Sequence, residues 1–221
     1  FSDYHSLQFE LRRQFRNGLF AQANYTWADT NTDSEGTAQN RFEAFMDNNR
    51  PHLQYGRATT HITHVLNANA IYELPFGTGR RWVNGGGLSN VLLGGWQVSG
   101  ILALQSGSPI TIFSGRGTFN RAGRSNSCPT ACNTAVSTLS VDQIRDLIGI
   151  YKTADGTIYW IDPKVIDPAT GRGVGTDNLG NDATFPGQVF FNPAAGEVGN
   201  LPVMAFDSPR VFNLDFALSK R

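Results

Sequence analysis

Hydrophobic and polar residues alternate along five stretches of the chain. These stretches are residues 4–16, 19–30, 59–74, 96–112 and 210–220. Successive side chains of a strand point to opposite faces, so a period of two predicts five β-strands, each with an apolar and a polar face. In the last stretch the apolar face would carry Phe212, Leu214, Phe216 and Leu218.

A tight turn is predicted between the first two strands. Asn17 and Gly18 separate them, and both residue types tolerate the positive φ that a two-residue hairpin turn requires. The first two strands should therefore form an antiparallel hairpin.

The lengths of the strands and of their connections favour a membrane protein. The predicted strands span 11 to 17 residues, whereas a soluble strand usually has about 5–6 and a membrane-spanning one needs about 9–11. The connections are residues 17–18, 31–57, 75–95 and 113–208. Outer-membrane barrels alternate short inner turns with long outer loops. We therefore expect an all-β, antiparallel transmembrane β-barrel segment, with 31–57 and 113–208 as extracellular loops.

In a barrel wall, one face of each strand contacts lipid and the other faces the lumen. The four apolar residues of the last strand would contact lipid, and Asn213 and Asp215 would face the lumen. Tyr25 and Trp27 lie near the outer end of the second strand. The inner ends of the next two strands carry Tyr72 and Trp96, and amphipathic rings favour these membrane–water interfaces. The same aromatics could instead belong to the core of a secreted β-sandwich.

Composition narrows the possible partners. Charged residues make up 16% of the chain, well below the ~25% of soluble proteins. Lys plus Arg and Asp plus Glu number 18 each, so no net field recruits nucleic acid. There is no run of about 18 apolar residues that would make a transmembrane helix.

No motif predicts catalysis, a metal or a cofactor. His61 and His64 have a spacing that would place them on opposite faces of a strand, out of reach of one zinc ion. Five aspartates lie in the 113–208 loop: Asp155, Asp162, Asp167, Asp177 and Asp182. They lack EF-hand spacing, so a solvated loop is favoured over a calcium site. The 77–81 run lacks the lysine and spacing of a phosphate-binding loop. We expect a protein that is not an enzyme and has no cofactor.

Two further features lie in the same loop. Cys128 and Cys132 could form a small disulfide in an oxidising exterior, with a thiol metal site as the alternative. Ser140 and Gln143 have capping-box spacing, and Ile144 and Leu147 follow them. We predict a short helix there that packs the loop on itself.

Three groups of segments resemble TonB-dependent outer-membrane receptors, particularly the Oar-like group with a carboxypeptidase-regulatory-like region. The first comprises Tyr4-His5-Ser6-Leu7-Gln8, Gly18-Leu19 and Tyr25-Thr26-Trp27. The second comprises Tyr72-Glu73-Leu74-Pro75-Phe76-Gly77, Gly94-Gly95-Trp96-Gln97-Val98-Ser99-Gly100 and Gln105-Ser106-Gly107-Ser108-Pro109. The third comprises Phe190-Phe191-Asn192-Pro193, Gly199-Asn200-Leu201, Asn213-Leu214-Asp215 and Ser219-Lys220.

The resemblance implies active uptake of an extracellular ligand, driven by the TonB complex through a plug domain. Neither the plug nor a TonB-contacting segment is recognisable here, so we expect residues 1–221 to be a single partial barrel domain, with 113–208 as a large extracellular insertion. Outer-membrane lipid, the TonB complex and an unknown ligand are the expected partners. The alternatives are a passive porin-like or structural barrel and a secreted β-sandwich adhesin or carbohydrate-binding module. No residue stands out as the ligand-binding determinant.

Overall fold

The computed structural model describes residues 1–33, 45–82, 87–117, 132–177 and 181–220. Its strands are β1 (Ser2–Arg16), β2 (Leu19–Thr32), β3 (Gly56–Arg57), β4 (His64–Glu73), β5 (Trp96–Gln105), β6 (Pro109–Ile110), β7 (Phe113–Gly117), β8 (Cys132–Thr134), β9 (Val136–Ser137), β10 (Ile148–Lys152), β11 (Ile158–Ile161), β12 (Phe190–Phe191), β13 (Phe206–Asp207) and β14 (Val211–Lys220). The α-helices are α1 (Leu88–Leu93) and α2 (Val141–Leu147), and short 3-10 helices span Pro51–Gln54 and Pro163–Val165.

Five long strands form the main sheet, as the alternation predicted. Their order is β1-β2-β4-β5-β14, with β3 paired to the end of β2. The pairings β2–β4, β4–β5 and β5–β14 are all antiparallel. The sheet is open in the described part of the chain, since β1 and β14 are its two edges. The prediction of an all-β fold with about five long antiparallel strands is confirmed.

The predicted hairpin turn is also confirmed. Asn17 and Gly18 adopt φ values of 55° and 79° between β1 and β2, the left-handed pair that a type I′ turn requires. A Cβ on Gly18 would approach the carbonyl oxygen of Glu73 to 3.1 Å. Glycine is therefore required here by both its backbone conformation and its close neighbour.

Two strands are shorter than predicted. The third was expected from residue 59, but β4 begins at His64, and the amide of His61 donates to the carbonyl of Ala58 in a turn. The fourth was expected to reach residue 112, but β5 ends at Gln105. Beyond it, Pro109 and Ile110 leave the main sheet and pair with β13. In both places the predicted strand included residues beyond the alternating part, Thr59 to His61 in the third strand and Ser106 to Ser108 in the fourth.

The chain divides into two compact units. The strand unit comprises Ser6–Ala28, Ile62–Ser106 and Arg210–Arg221, and the loop unit comprises Phe1–His5, Asp29–His61 and Gly107–Pro209. Within the strand unit, the connection between β4 and β5 contains α1, where a glycine-rich turn region was predicted.

The loop unit has a hydrophobic core of its own. Six buried residues form it: Ala135, Ile144, Val165, Phe190, Leu201 and Phe206. The predicted helix is present as α2, where the Ser140 side chain accepts from the Gln143 amide and the Gln143 side chain accepts from the Ser140 amide. Ile144 is fully buried, so the helix packs the loop unit on itself as predicted.

Candidate functional site

The apolar face of the main sheet is continuous across four strands. Directly paired residues lie on the same face, and the register places the following residues in rows that extend across the sheet. One row is Tyr25, Leu66, Leu104 and Phe212; the next is Ala23, Ala68, Leu102 and Leu214. The third is Ala21, Ala70, Gly100 and Phe216, and the fourth is Leu19, Tyr72, Val98 and Leu218. Long-range pairing therefore turns four separate sequence patterns into one apolar surface.

This surface is exposed to its surroundings. Phe212, Leu214, Phe216 and Leu218 are 62%, 57%, 67% and 53% exposed, although water would favour burial of such side chains at roughly 25 cal/mol per Å². Exposed apolar patches of this extent mark contact with a partner or a membrane. Contact of these four residues with lipid remains a prediction.

The height of the apolar band matches a membrane. Trp27 pairs with His64, and Tyr72, eight residues along β4, pairs with Val98. Trp96 lies two residues beyond Val98, so ten residues separate the Trp27 and Trp96 rows. That distance is about 34 Å along the strands at ~3.4 Å per residue. With a tilt of about 40° the vertical height is about 26 Å, close to the ~25 Å apolar band of outer-membrane barrels.

The four predicted interface aromatics lie at the two ends of this band. Tyr25 and Trp27 occupy one end and Tyr72 and Trp96 the other, all on the apolar face. The Tyr25 hydroxyl lies 2.8 Å from Nδ1 of His64.

At the opposite end the Trp96 indole N–H donates to the Leu92 carbonyl over 2.8 Å. The Lys220 ammonium lies 5.5 Å from the centroid of the Trp96 ring. An apolar ring with a polar partner at its edge suits a membrane–water interface, and that role remains a prediction.

The opposite face of the sheet is mainly polar and carries amide rows. One row contains Asn24, Asn67, Ala103 and Asn213, and the next contains Gln22, Asn69, Ile101 and Asp215. The Asn213 amide donates to the Asp215 carboxylate over 3.2 Å, and Gln22 donates to Glu10 over 3.1 Å. This face can hydrogen-bond water, as a barrel lumen requires.

A shallow groove in the middle of the apolar face was missed by the sequence reasoning. It has a volume of about 520 Å³, and small residues form its floor: Ala21, Ala23, Ala68, Ala70 and Gly100. Their alternation was visible in each segment. Only the register, however, shows that they are neighbours.

The two histidines have separate partners. His64 begins β4, but His61 precedes the strand, so the predicted geometry of one strand carrying both was wrong. His61 is 2% exposed, and its Nδ1 accepts from the Thr30 amide over 3.0 Å. Burial, aided by the positive charge of Arg57, lowers the pKa of His61. The neutral imidazole therefore serves as a buried acceptor within the loop unit.

The five loop aspartates accept hydrogen bonds or form ion pairs. Asp155 accepts hydrogen bonds from Thr153 and Thr157, which lower its pKa. Asp162 accepts from the Lys164 amide, Asp167 from the Ala169 amide, and Asp177 from the Asn181 amide. Asp182 pairs with Arg116 over 2.8 Å. No group of three or more His, Cys, Asp or Glu that could hold a metal occurs among the described residues.

The predicted disulfide cannot be placed. Cys128 lies outside the described residues, and Cys132 is described only through its backbone, at the start of β8. The disulfide therefore stays a prediction.

Comparison with known proteins places the chain in a family. A family model described as an outer membrane beta barrel domain matches residues 1–221. The chain belongs to the outer membrane beta barrel domain family. Searches among curated proteins and among solved structures each found no match. In the described part of the chain, no helix is long and apolar enough to cross a membrane.

Family membership places the main sheet in the outer membrane. The chain is part of an outer-membrane β-barrel, and its location is the outer membrane. The apolar surface agrees with this assignment, and so does the band height of about 26 Å that the usual strand tilt of outer-membrane barrels gives. The alternative of a secreted β-sandwich is therefore set aside.

Proposed function

We propose that this outer membrane beta barrel domain belongs to a TonB-dependent receptor that captures an extracellular ligand and imports it. Its partners would be outer-membrane lipid, a plug domain contacted by the TonB complex, and the ligand. The proposed role is transport rather than catalysis. The observation that carries the proposal is a folded unit inserted between two neighbouring strands.

This insertion is far longer than the connection requires. Gln105 and Val211 are directly paired in β5 and β14, and a few residues suffice to join neighbouring antiparallel strands. The chain instead uses residues 106–210, within which Ile144 and Phe206 are fully buried. Ordering each of those residues costs about 1–2 kcal/mol in backbone entropy. A loop that is long and well packed is usually functional, and ligand capture outside the cell is a function that such a loop can serve.

Sequence resemblance supports the energy coupling. Three segments, Tyr72–Gly77, Gly94–Gly100 and Gln105–Pro109, resemble TonB-dependent receptors. The first covers the end of β4 and the residues that follow it, the second leads into β5, and the third extends from the last residue of β5 to β6. The polar face of the strands can line a wet lumen that holds a plug.

Two measurements on the full-length protein test the proposal. Purified receptor in detergent is mixed with the isolated C-terminal domain of TonB, and the same protein is inserted into planar bilayers. We expect saturable TonB binding and no large stable conductance, because a plug would block the lumen. If TonB does not bind and large open channels appear, the receptor proposal fails.

A passive porin is the second candidate. It is favoured by the uncharged amides of the polar face, such as Asn67 and Asn69, which could line a water-filled channel. Steady conductance without TonB binding would support it.

A further inference from the structure

A cavity within the loop unit has the size of a small-molecule site. Its volume is about 420 Å³, within the range of about 300–1,000 Å³ for ligand pockets. Three chain segments converge on it, at residues 112–115, 172–176 and 190–192. Its apolar walls come from Ile112, Phe113, Val174 and Phe190. We call this feature the loop cavity.

The walls of the loop cavity are held by the core beneath them. Phe190 is 2% exposed and belongs to the hydrophobic core of the loop unit. Gly173 packs against it so closely that a Cβ would lie 3.0 Å from the Phe190 ring. Asn192 accepts a hydrogen bond from the Gly115 amide over 3.2 Å, which ties two of the three segments together. A cavity with fixed walls loses little entropy when it binds a ligand.

One cation of the loop cavity has no ion-pair partner in the part of the chain that the structure describes. Arg116, nearby on β7, is neutralised by Asp182, which also accepts a hydrogen bond from Asn192 over 2.5 Å. Arg172 lines the cavity and forms no ion pair with any residue in the described ranges. Its backbone is fixed, since its carbonyl accepts from the Asp167 amide over 2.8 Å. An arginine among the lining residues of an apolar cavity provides charge complementarity for an anion.

We propose that the loop cavity binds a small molecule that joins an apolar body to a compact anionic group such as a carboxylate. The apolar body contacts Val174 and Phe190, and the anion pairs with Arg172. This inference deepens the proposed function, because import of such a molecule rests on the receptor proposal. Binding itself requires no transport and can be measured alone.

The test compares two probes with the same apolar body. Full-length protein in lipid nanodiscs is titrated with 2-naphthoate and with neutral 2-naphthylmethanol, with empty nanodiscs as the blank. We expect saturable binding of both probes, and about tenfold tighter binding of the carboxylate, because a charge-assisted hydrogen bond adds to the apolar contact. A substitution that removes the apolar contacts should weaken the binding of both probes by the same factor.

Three variants identify the residues responsible. Arg172→Gln should remove the preference for the carboxylate, and Arg172→Lys should restore most of it. Arg210→Gln is the matched control, because Arg210 is another exposed arginine that does not line the cavity. Gly115→Leu should block both probes by adding a side chain to the lining, and the position has room for its Cβ, which would lie 4.0 Å from Asn192 Oδ1.

Two kinds of result would overturn the loop-cavity proposal. Binding no stronger than to empty nanodiscs would eliminate the site. Equal affinity for the two probes, or equal effects of the Arg172 and Arg210 substitutions, would eliminate the role of the cation. Failure here with intact TonB binding would leave the receptor proposal standing. Naphthoate binding without TonB binding would instead leave the loop cavity and remove the transport role.

Discussion

Placing an arginine at different points of β14 tests the assignment of the two sheet faces. Leu214 lies on the apolar face, and Asn213, its neighbour, lies on the polar face. Leu218 shares the face of Leu214 but is closer to the Trp96–Lys220 end of the band. The three substitutions are Leu214→Arg, Leu218→Arg and Asn213→Arg. The first two place the arginine at different depths on one face, and the third places it on the other face.

The register sets the expected magnitudes. Leu214 is six residues from Lys220, whose partner is Trp96. Leu214 therefore lies about 16 Å above the Trp96 end of the band, which is about 26 Å high, and so lies close to the middle of the band. Arginine at the midplane costs about 2–4 kcal/mol, and near an interface about 0–1 kcal/mol. Leu214→Arg should therefore lower the folded-to-unfolded ratio by roughly 30- to 1,000-fold. Leu218→Arg, about 5 Å from the band edge, should cost about 0–1 kcal/mol, and Asn213→Arg should be nearly neutral.

The assay is reversible urea unfolding of the full-length protein in liposomes. Tryptophan fluorescence follows the transition, and heat-modifiable gel mobility checks that the folded barrel is present. If Asn213→Arg costs more than Leu214→Arg, the lipid and lumen faces are reversed. If Leu214→Arg and Leu218→Arg cost the same, the position of the band along β14 is wrong.

Three further predictions concern the loop unit. Phe206→Ala should destabilise it by about 3–5 kcal/mol, since Phe206 is fully buried; hydrogen exchange confined to residues 107–209 would detect this, and unchanged exchange there would contradict it. His61 has a lowered pKa, so the unfolded loop binds a proton more readily, and stability should fall as pH drops below about 6.5. His61→Asn, which keeps an acceptor for Thr30, should flatten that dependence in a pH series of hydrogen exchange, and a persistent slope would implicate other groups. Thiol labelling and mass spectrometry should find Cys128 and Cys132 linked, and two alkylated thiols under non-reducing conditions would disprove the disulfide.

The sequence alone determined the features that depend on neighbouring residues. Alternation predicted the five long strands and the faces of β14, because side chains of a strand alternate whatever it pairs with. The turn at Asn17 and Gly18 was predictable, since left-handed φ values are a local property of those residue types. The helix at Ser140 was predictable for the same reason, because a capping box closes within four residues.

Only the tertiary structure decided where the strands end and which of them meet. His64 begins β4 because the preceding residues form a turn, and Pro109 and Ile110 leave the main sheet to pair with β13. The pairing of Pro109 and Ile110 joins residues about a hundred positions apart, so no local pattern records it. The same holds for the loop cavity, whose lining brings together Arg172 and Phe190 from separate segments of the chain. The free-energy difference between alternative strand pairings is a sum over contacts between residues distant in sequence, and these contacts are known only from the folded chain.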